Sequence, residues 1–316
     1  MRREKIVNRV ILALLIAVLT GPVFGDSHGS PDLLILHTND IHGRIEQGDG
    51  LLGMGKITSM MRYFHEQYEH VLLLDAGDTI HGRPIANQLD GRSVVETMNI
   101  AGYDVMVPGN HDFNYGYDRL LELEELMEFD LVAANVYKDG ELLFRPWVIR
   151  EVGDHRVGIF GLATPDTYQT THPRNIEGIE FGDMEEAAQR SVDQLQSEGV
   201  DMIIALGHVG FGRNYPSTDV VEQVSGIDLF VDGHAHDLLL QGEQYRDTLF
   251  VQANEYTKYL GRVEINFTED RPEMKASVIS AAQAASEGFT PDESVEELIL
   301  ALRDEVRQRM LGTWQD

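Results

Sequence analysis

Five short stretches end apolar runs in residues able to hold a metal ion. They carry Asp40 and His42 in HTNDIHG, Asp78 in DAGDTIHG, Asn110 and His111 in PGNHDF, His208 in LGHVG, and His234 and His236 in DGHAHD. All are oxygen or imidazole donors, and the chain has no cysteine, so thiolate ligands and disulfides are excluded. Residues two apart on an extended segment point the same way. That predicts Asp40 with His42, and His234 with His236, as paired ligands facing one side. Adjacent residues point apart, so Asn110 is read as giving its carbonyl oxygen to a metal while His111 faces whatever the metal holds. Three carboxylate or amide oxygens with four imidazoles exceed one tetrahedral ion and suit two, with Asp78, alone in its stretch, as the bridge. Mn or Zn suits this many imidazoles best, and Mg, Co, Fe and Ca fit in varying degree. One histidine at a strand end is ordinary turn or core chemistry. Five such stretches in order point to one site.

The elements that must position these residues are buried strands. LLILHT from Leu33, VLLLDA from Val71, DVMVPG from Asp104, DLVAANV from Asp130, VGIFGLA from Val157, DMIIALG from Asp201 and DLFVDG from Asp228 are continuously rather than alternately apolar. Strands buried on both faces read this way. Between them LLGMGKITSMMRYFHEQY, GYDRLLELEELMEF and DMEEAAQRSVDQLQSEG carry apolar residues at three and four spacing, as amphipathic helices do. The fold class is α/β, and open α/β sheets place their sites at the carboxyl ends of strands. From Gly242 the pattern alternates in DTLFVQAN, GRVEINF and EMKASVISA, which predicts a largely antiparallel continuation of a sheet. A final helix is expected over Pro291 to Leu311, capped by Thr290 with Glu293 closing a capping box. No internal repeat or low-complexity linker divides the chain.

The 316 residues open with Arg2, Arg3, Lys5 and Arg9 before VILALLIAVLTGPVFG. This is a secretory leader pattern, with Gly25 as its expected last residue. A membrane anchor is the alternative, but Gly21 and Pro22 break the run short of the ~20 apolar residues a span needs. The expected order is therefore a leader over 1–25, a catalytic unit over 26–289 and a linker-like helix over 290–316, exported to a bacterial periplasm, cell surface or medium. Formal charge is −28, and loss of residues 1–25, with four basic and one acidic, leaves −31. Nucleic-acid polymers and anionic membranes are poor partners for such a chain. An acidic surface fits high-salt adaptation and an ordinary acidic protein equally. An anionic substrate needs a local cation, and no basic cluster is legible, which again points to metal.

At these residues the sequence resembles the calcineurin-like metallophosphoesterases, and within them the 5'-nucleotidase and 2',3'-cyclic nucleotide phosphodiesterase branch. The resemblance runs from about Leu33 to Asp270 and rests on LHTNDIHG, GNHDFNYG and DGHAHD. It implies a four-layer α/β/β/α sandwich with mixed sheets around a dimetal centre. Asp40, His42, Asp78 and His236 would hold one ion; Asp78, Asn110, His208 and His234 would hold the other. His111 would contact the phosphoryl group, and the reaction would be hydrolysis of a nucleotide phosphate ester by metal-activated hydroxide. The branch often has an acidic residue three positions after the catalytic histidine, where this chain has Asn114. Asn114 can still orient His111 but stabilises its charged form less. FNYG also resembles relatives acting on cyclic nucleotides. The branch usually continues into a domain that clamps the nucleobase, whereas only GTWQD follows the last helix here. A metal-binding relative without turnover is the reading from another class.

Other residues carry weaker signals. His81 and Arg83 could touch substrate or sit solvated at the rim, and His37 reads as core or as a hydrogen-bond partner behind a ligand. Tyr115 and Tyr117 read as packing residues at a helix start, and Trp314 as packing on the last helix.

Overall fold

The computed structural model describes residues 30–312; the expected leader over 1–25 and Trp314 lie outside them. Strands β1 (Leu33–Thr38), β2 (Val71–Asp75), β3 (Val105–Met106) and β4 (Asp130–Leu131) run parallel in one six-stranded sheet. The second sheet holds β5 (Trp147–Val152), β6 (His155–Ala163), β7 (Met202–His208), β8 (Leu229–Val231), β9 (Glu243–Tyr245) and β10 (Thr248–Val251). Strands β11 (Tyr259–Asn266) and β12 (Glu273–Ser280) return to the first sheet, giving the order β12-β11-β1-β2-β3-β4 beside β9-β10-β8-β7-β6-β5.

Three cores separate four layers, which explains the continuous apolar runs. In β1, Leu33 and Ile35 face the core between the sheets, while Leu34 and Leu36 face the outer helices. In β7, Met202, Ile204 and Leu206 join the middle core while Ile203 and Ala205 face the other helical layer. Helices α1 (Gly53–Gln67), α2 (Arg92–Ala101) and α3 (Tyr117–Glu124) cover the first sheet. Helices α4 (Met184–Ser197) and α5 (Ser217–Gln223) cover the second. The architecture is the α/β/β/α sandwich with mixed sheets.

Several expectations differ from the structure. The segments after Gly242 pair largely antiparallel, as β9 with β10, β11 with β12 and β11 with β1, but they do not continue one sheet: β10 joins β8 in parallel, and the β11–β12 hairpin crosses to the other sheet. Alternation reported one half-exposed face and could not say which sheet received it. DLVAANV is not one strand, since 130–131 joins the first sheet and Val136–Lys138 joins a separate three-stranded sheet. The last helix, α6 (Glu293–Gly312), begins after Pro291. Asp292, not Thr290, caps it, its Oδ1 accepting the N–H groups of Ser294 and Val295 at 3.1 and 3.3 Å. Val295, Ile299, Leu302 and Val306 of α6 pack into the outer core against α1 and α2. Among the described residues no helix is long and apolar enough to cross a membrane.

Candidate metal centre

All five stretches emerge at one edge, where β1, β2, β3, β7 and β8 end. Asp40 and His42 do come together in one group, whereas His234 and His236 part between two groups, and none of the four is on extended backbone. Asp40 (φ 52°), His42 (φ 48°), Asp78 (φ 57°), His234 (φ 69°) and His236 (φ 59°) are all left-handed. Such values cost free energy in residues with a Cβ and cluster where the surrounding fold over-determines them. Tight packing does so here. A Cβ on Gly109 would lie 2.3 Å from Asp78 Oδ1, so only glycine lets the loop after β3 close on the loop after β2. Asp112 ties the same two loops together. Its Oδ2 accepts the N–H groups of Gly109 and Asp78 at 2.7 and 2.8 Å, and its Oδ1 those of Thr79 and Ile80 at 2.8 and 2.9 Å.

The side chains gather into two groups able to hold an ion each: Asp40, His42 and His236, and Asp78, His208 and His234. Asp78 Oδ2 lies between them, 3.7 Å from His42 Nε2 and 3.3 Å from His208 Nε2. Asn110 Oδ1 is 3.2 Å from His208 Nε2, which adds an amide oxygen to the second group. Two tautomers are fixed from behind. His208 Nδ1 donates to the Ala76 carbonyl at 2.7 Å, and His236 Nδ1 meets Glu255 Oε2 at 2.7 Å, so both present Nε2 inward.

The donor set fits divalent cations. Asp40 is fully buried, yet its Oδ1 has no hydrogen bond and faces His236 Nε2 at 3.1 Å. Burial would lower the His208 imidazole, but the Asp78 carboxylate lifts it to about 10. Asp78 is held well below the carboxylate range by His208 despite its own burial. This corner therefore carries enough negative potential to hold a positive charge, and a bound ion would displace the imidazole proton. His234, lowered to about 4 by burial and then by His208, already offers a neutral nitrogen.

His111 sits beside His42 and the shared Asp78. Its backbone N–H donates to Asp78 Oδ1 at 2.7 Å, and its ring lies 5.2 Å from that of His42. Asn114 Nδ2 donates to His111 Nδ1 at 2.8 Å and reaches His81 Nδ1 at 3.2 Å. His81 stacks on His111 with ring centroids 5.9 Å apart, so it belongs to the site and not to a solvated rim. Asp112, the carboxylate nearest His111 in sequence, points away into its loop staple. His37 is core: its ring covers Gly261, and burial lowers it to about 3. Tyr115 packs as expected, its hydroxyl donating to Asn87 Oδ1 at 2.8 Å.

Some site residues escaped the sequence reading. Asp166 Oδ2 lies 3.2 Å from His234 Nε2, and its buried Oδ1 has no partner. It follows β6 as the other ligands follow their strands, so the same rule applied to VGIFGLATPD would have found it. Glu255 and Arg44 had no such signal. The Arg44 guanidinium lies 3.3 Å over the Tyr256 ring, which is edge-on to His42 and His236. With Arg83 beside it, Arg44 forms a basic rim that the fold assembles from separate loops.

A family model for calcineurin-like phosphoesterases matches residues 33–238. The snake venom 5'-nucleotidase of Naja atra is 34% identical over 284 residues, covering 79% of this chain and 53% of that protein. The trifunctional nucleotide phosphoesterase YfkN of Bacillus subtilis is 32% identical over 277 residues, covering 75% of this chain and 18% of that protein. A crystal structure of YfkN matches with TM-score 0.73 at 25% identity, covering 87% of this chain and 97% of the crystallised one. That of a 5'-nucleotidase precursor from Thermus thermophilus matches with TM-score 0.76 at 28% identity, covering 87% and 59%. The chain spans about half the length of the snake venom relatives it matches.

Proposed function

This chain belongs to the calcineurin-like phosphoesterase family, and from that premise we propose that it is an exported two-metal hydrolase of nucleotide phosphate esters, of the 5'-nucleotidase type. The observation that carries the reading is the pair of His/Asp groups joined through Asp78, with the His111 ring against His42. Asp40, His42, Asp78 and His236 would hold one ion, and Asp78, Asn110, His208 and His234 the other, with Mn or Zn as the expected metals. Bound together, such ions supply a hydroxide nucleophile at neutral pH and charge stabilisation for the phosphoryl oxygens.

The remaining chemistry belongs to His111 and Asn114. Because the Asn114 amide donates to Nδ1, the His111 proton resides on Nε2. From there it can be donated to a phosphoryl oxygen or to the departing alkoxide. Arg44 and Arg83 at the rim offset the chain's negative field for an incoming anion. A cyclic 2',3'-diester is the second reading, favoured by Asn114 in the FNYG stretch beside His111.

The test is phosphate release by the Mn- or Zn-loaded protein from 5'-mononucleotides, 2',3'-cyclic nucleotides and an aryl phosphate. His111→Ala should abolish turnover while elemental analysis still finds both ions. Failure of the metal-loaded parent on every ester would sink the reading in favour of a binding protein.

A further inference from the structure

Beside the metal loops, at the same edge of the second sheet, lies a cavity of about 390 Å³. Its walls are Pro165 and Tyr168 after β6, the start of α4 with Asp183 and Glu185, and the segment from Asn214 to Asp219 that leads from β7 into α5. Two of the lining rings are open to it. Tyr168 is 48% and Tyr215 42% exposed. Tyr168 is also fixed in place. Its hydroxyl accepts the Phe181 N–H at 2.9 Å and its ring stands edge-on to Phe181 at 5.2 Å. A held aromatic face open to a concave site is a stacking platform.

The rest of the lining limits what can stack there. Among the described residues no lysine, arginine or histidine lines the cavity, whereas Asp183, Glu185 and Asp219 do. The Glu185 carboxyl is raised by partial burial and by Asp183 and Asp219 nearby. A phosphate is thereby excluded, and a ring with N–H donors on its edge is favoured. The cavity also adjoins the metal groups. Asp166, which meets His234, lies between Pro165 and Tyr168, and the Asn214 wall belongs to the loop that starts just after His208. One ligand can therefore place its phosphate at the metals and its ring here.

We propose that this cavity is the nucleobase subsite of the catalytic domain, with Tyr168 and Tyr215 stacking the base and the carboxylate wall selecting guanine. The proposal rests on the reading of the centre as a nucleotide hydrolase. Guanine presents adjacent N1–H and N2–H donors to a carboxylate. Uracil flanks its one N–H with carbonyl oxygens, which the wall repels.

Two measurements test it. Guanosine should bind the metal-free protein by saturation-transfer NMR, more strongly than uridine, and the double variant Tyr168→Ala/Tyr215→Ala should lose that binding. In the Mn-loaded enzyme, the kcat/KM ratio of guanosine 5'-monophosphate to ribose 5-phosphate should fall about 10- to 100-fold in the double variant, the scale of base stacking. Tyr168→Phe keeps the ring and loses only the hydroxyl, so it should keep the ratio; a loss as large as with alanine would mean a structural role and overturn the proposal. Nucleotide turnover with an unmoved ratio would overturn the subsite and leave the hydrolase standing. Absence of all nucleotide turnover would overturn both. Tyrosine-dependent turnover of phosphocholine faster than any nucleotide would assign the cavity to organic cations and overturn base recognition.

Discussion

Asp112 offers the sharpest test of how the centre is built, because it touches none of the proposed ligands' metal-facing atoms and yet ties their loops. Its carboxylate accepts four buried N–H bonds from Gly109, Asp78, Thr79 and Ile80. Asp112→Ala leaves all four donors unpaired, at about 1–3 kcal/mol each, or roughly 4–12 kcal/mol in total. That rivals the whole stability of an ordinary domain, about 5–15 kcal/mol, so the variant is expected to fold poorly. Some of the loss is returned, because burial and the Asp78 charge push the Asp112 carboxyl up to about 6 against the four N–H bonds. Asp112→Asn is the gentler probe. Its single oxygen can serve Thr79 and Ile80, while its NH₂ faces the Gly109 and Asp78 donors. Two lost bonds predict roughly 2–6 kcal/mol. Urea unfolding of the metal-free protein measures that term, and Mn titration calorimetry measures whether the loosened Asp78 loop weakens metal binding. A variant within about 0.5 kcal/mol of the parent, with the same Mn affinity, would refute the staple.

Three further outcomes follow from the geometry. Asn114→Asp turns a donated hydrogen bond into an accepted one and favours charged His111. Turnover of nucleotides relative to an aryl phosphate, whose leaving group needs no proton, should rise about tenfold, a fraction of the roughly 10²–10⁴ a general acid contributes in full; an unchanged ratio would exclude proton donation by His111. Asp166→Asn should lower affinity for one of the two ions by about 10- to 100-fold in calorimetry, and equal affinity would leave Asp166 without a part in the centre. His37 is held neutral, lowered from 6.5 to about 3 by burial, so the unfolded chain binds the extra proton. Its contribution is complete above pH 6.5 and is lost as pH falls toward 3, reaching about 3 kcal/mol at pH ~4.5. His37→Phe should flatten that part of the urea-midpoint profile; parallel profiles for parent and variant would exclude His37 as the cause.

The sequence made the strands legible because each is apolar on both faces, and in β1, β6 and β7 alternate residues do enter different cores. It made the strand ends legible as a site because metal-binding residues recur there after five of the seven runs. It could not show which sheet receives β10 or the β11–β12 hairpin, since alternation describes faces and not neighbours. It also could not show the basic rim, because Arg44, Arg83 and Tyr256 come from three loops that only the fold brings together. Asp166 follows its strand as the other donors do, but its stretch holds no histidine to mark it as a ligand.

Asp40 and His42 come together for a different physical reason from the one their spacing predicts, and the difference matters for function. Extended backbone would have brought Asp40 and His42 together without strain. The left-handed conformation instead stores of order 1–3 kcal/mol at each of Asp40, His42, Asp78, His234 and His236. The same loops press Asp40 and Asp78 into a buried corner lined with imidazoles that are kept neutral, as at His234, or are lifted chiefly by those carboxylates, as at His208. Local backbone preference and burial of charge both oppose this arrangement, and the Asp112 staple and the glycine contact at Gly109 enforce it. A fold holds its loops against both penalties when something bound there offsets them. Two divalent ions attract the same carboxylates whose proximity is costly without them, which is why strain, orphaned carboxylate oxygens and fixed imidazole tautomers occur together at this one edge and nowhere else among the described strand ends.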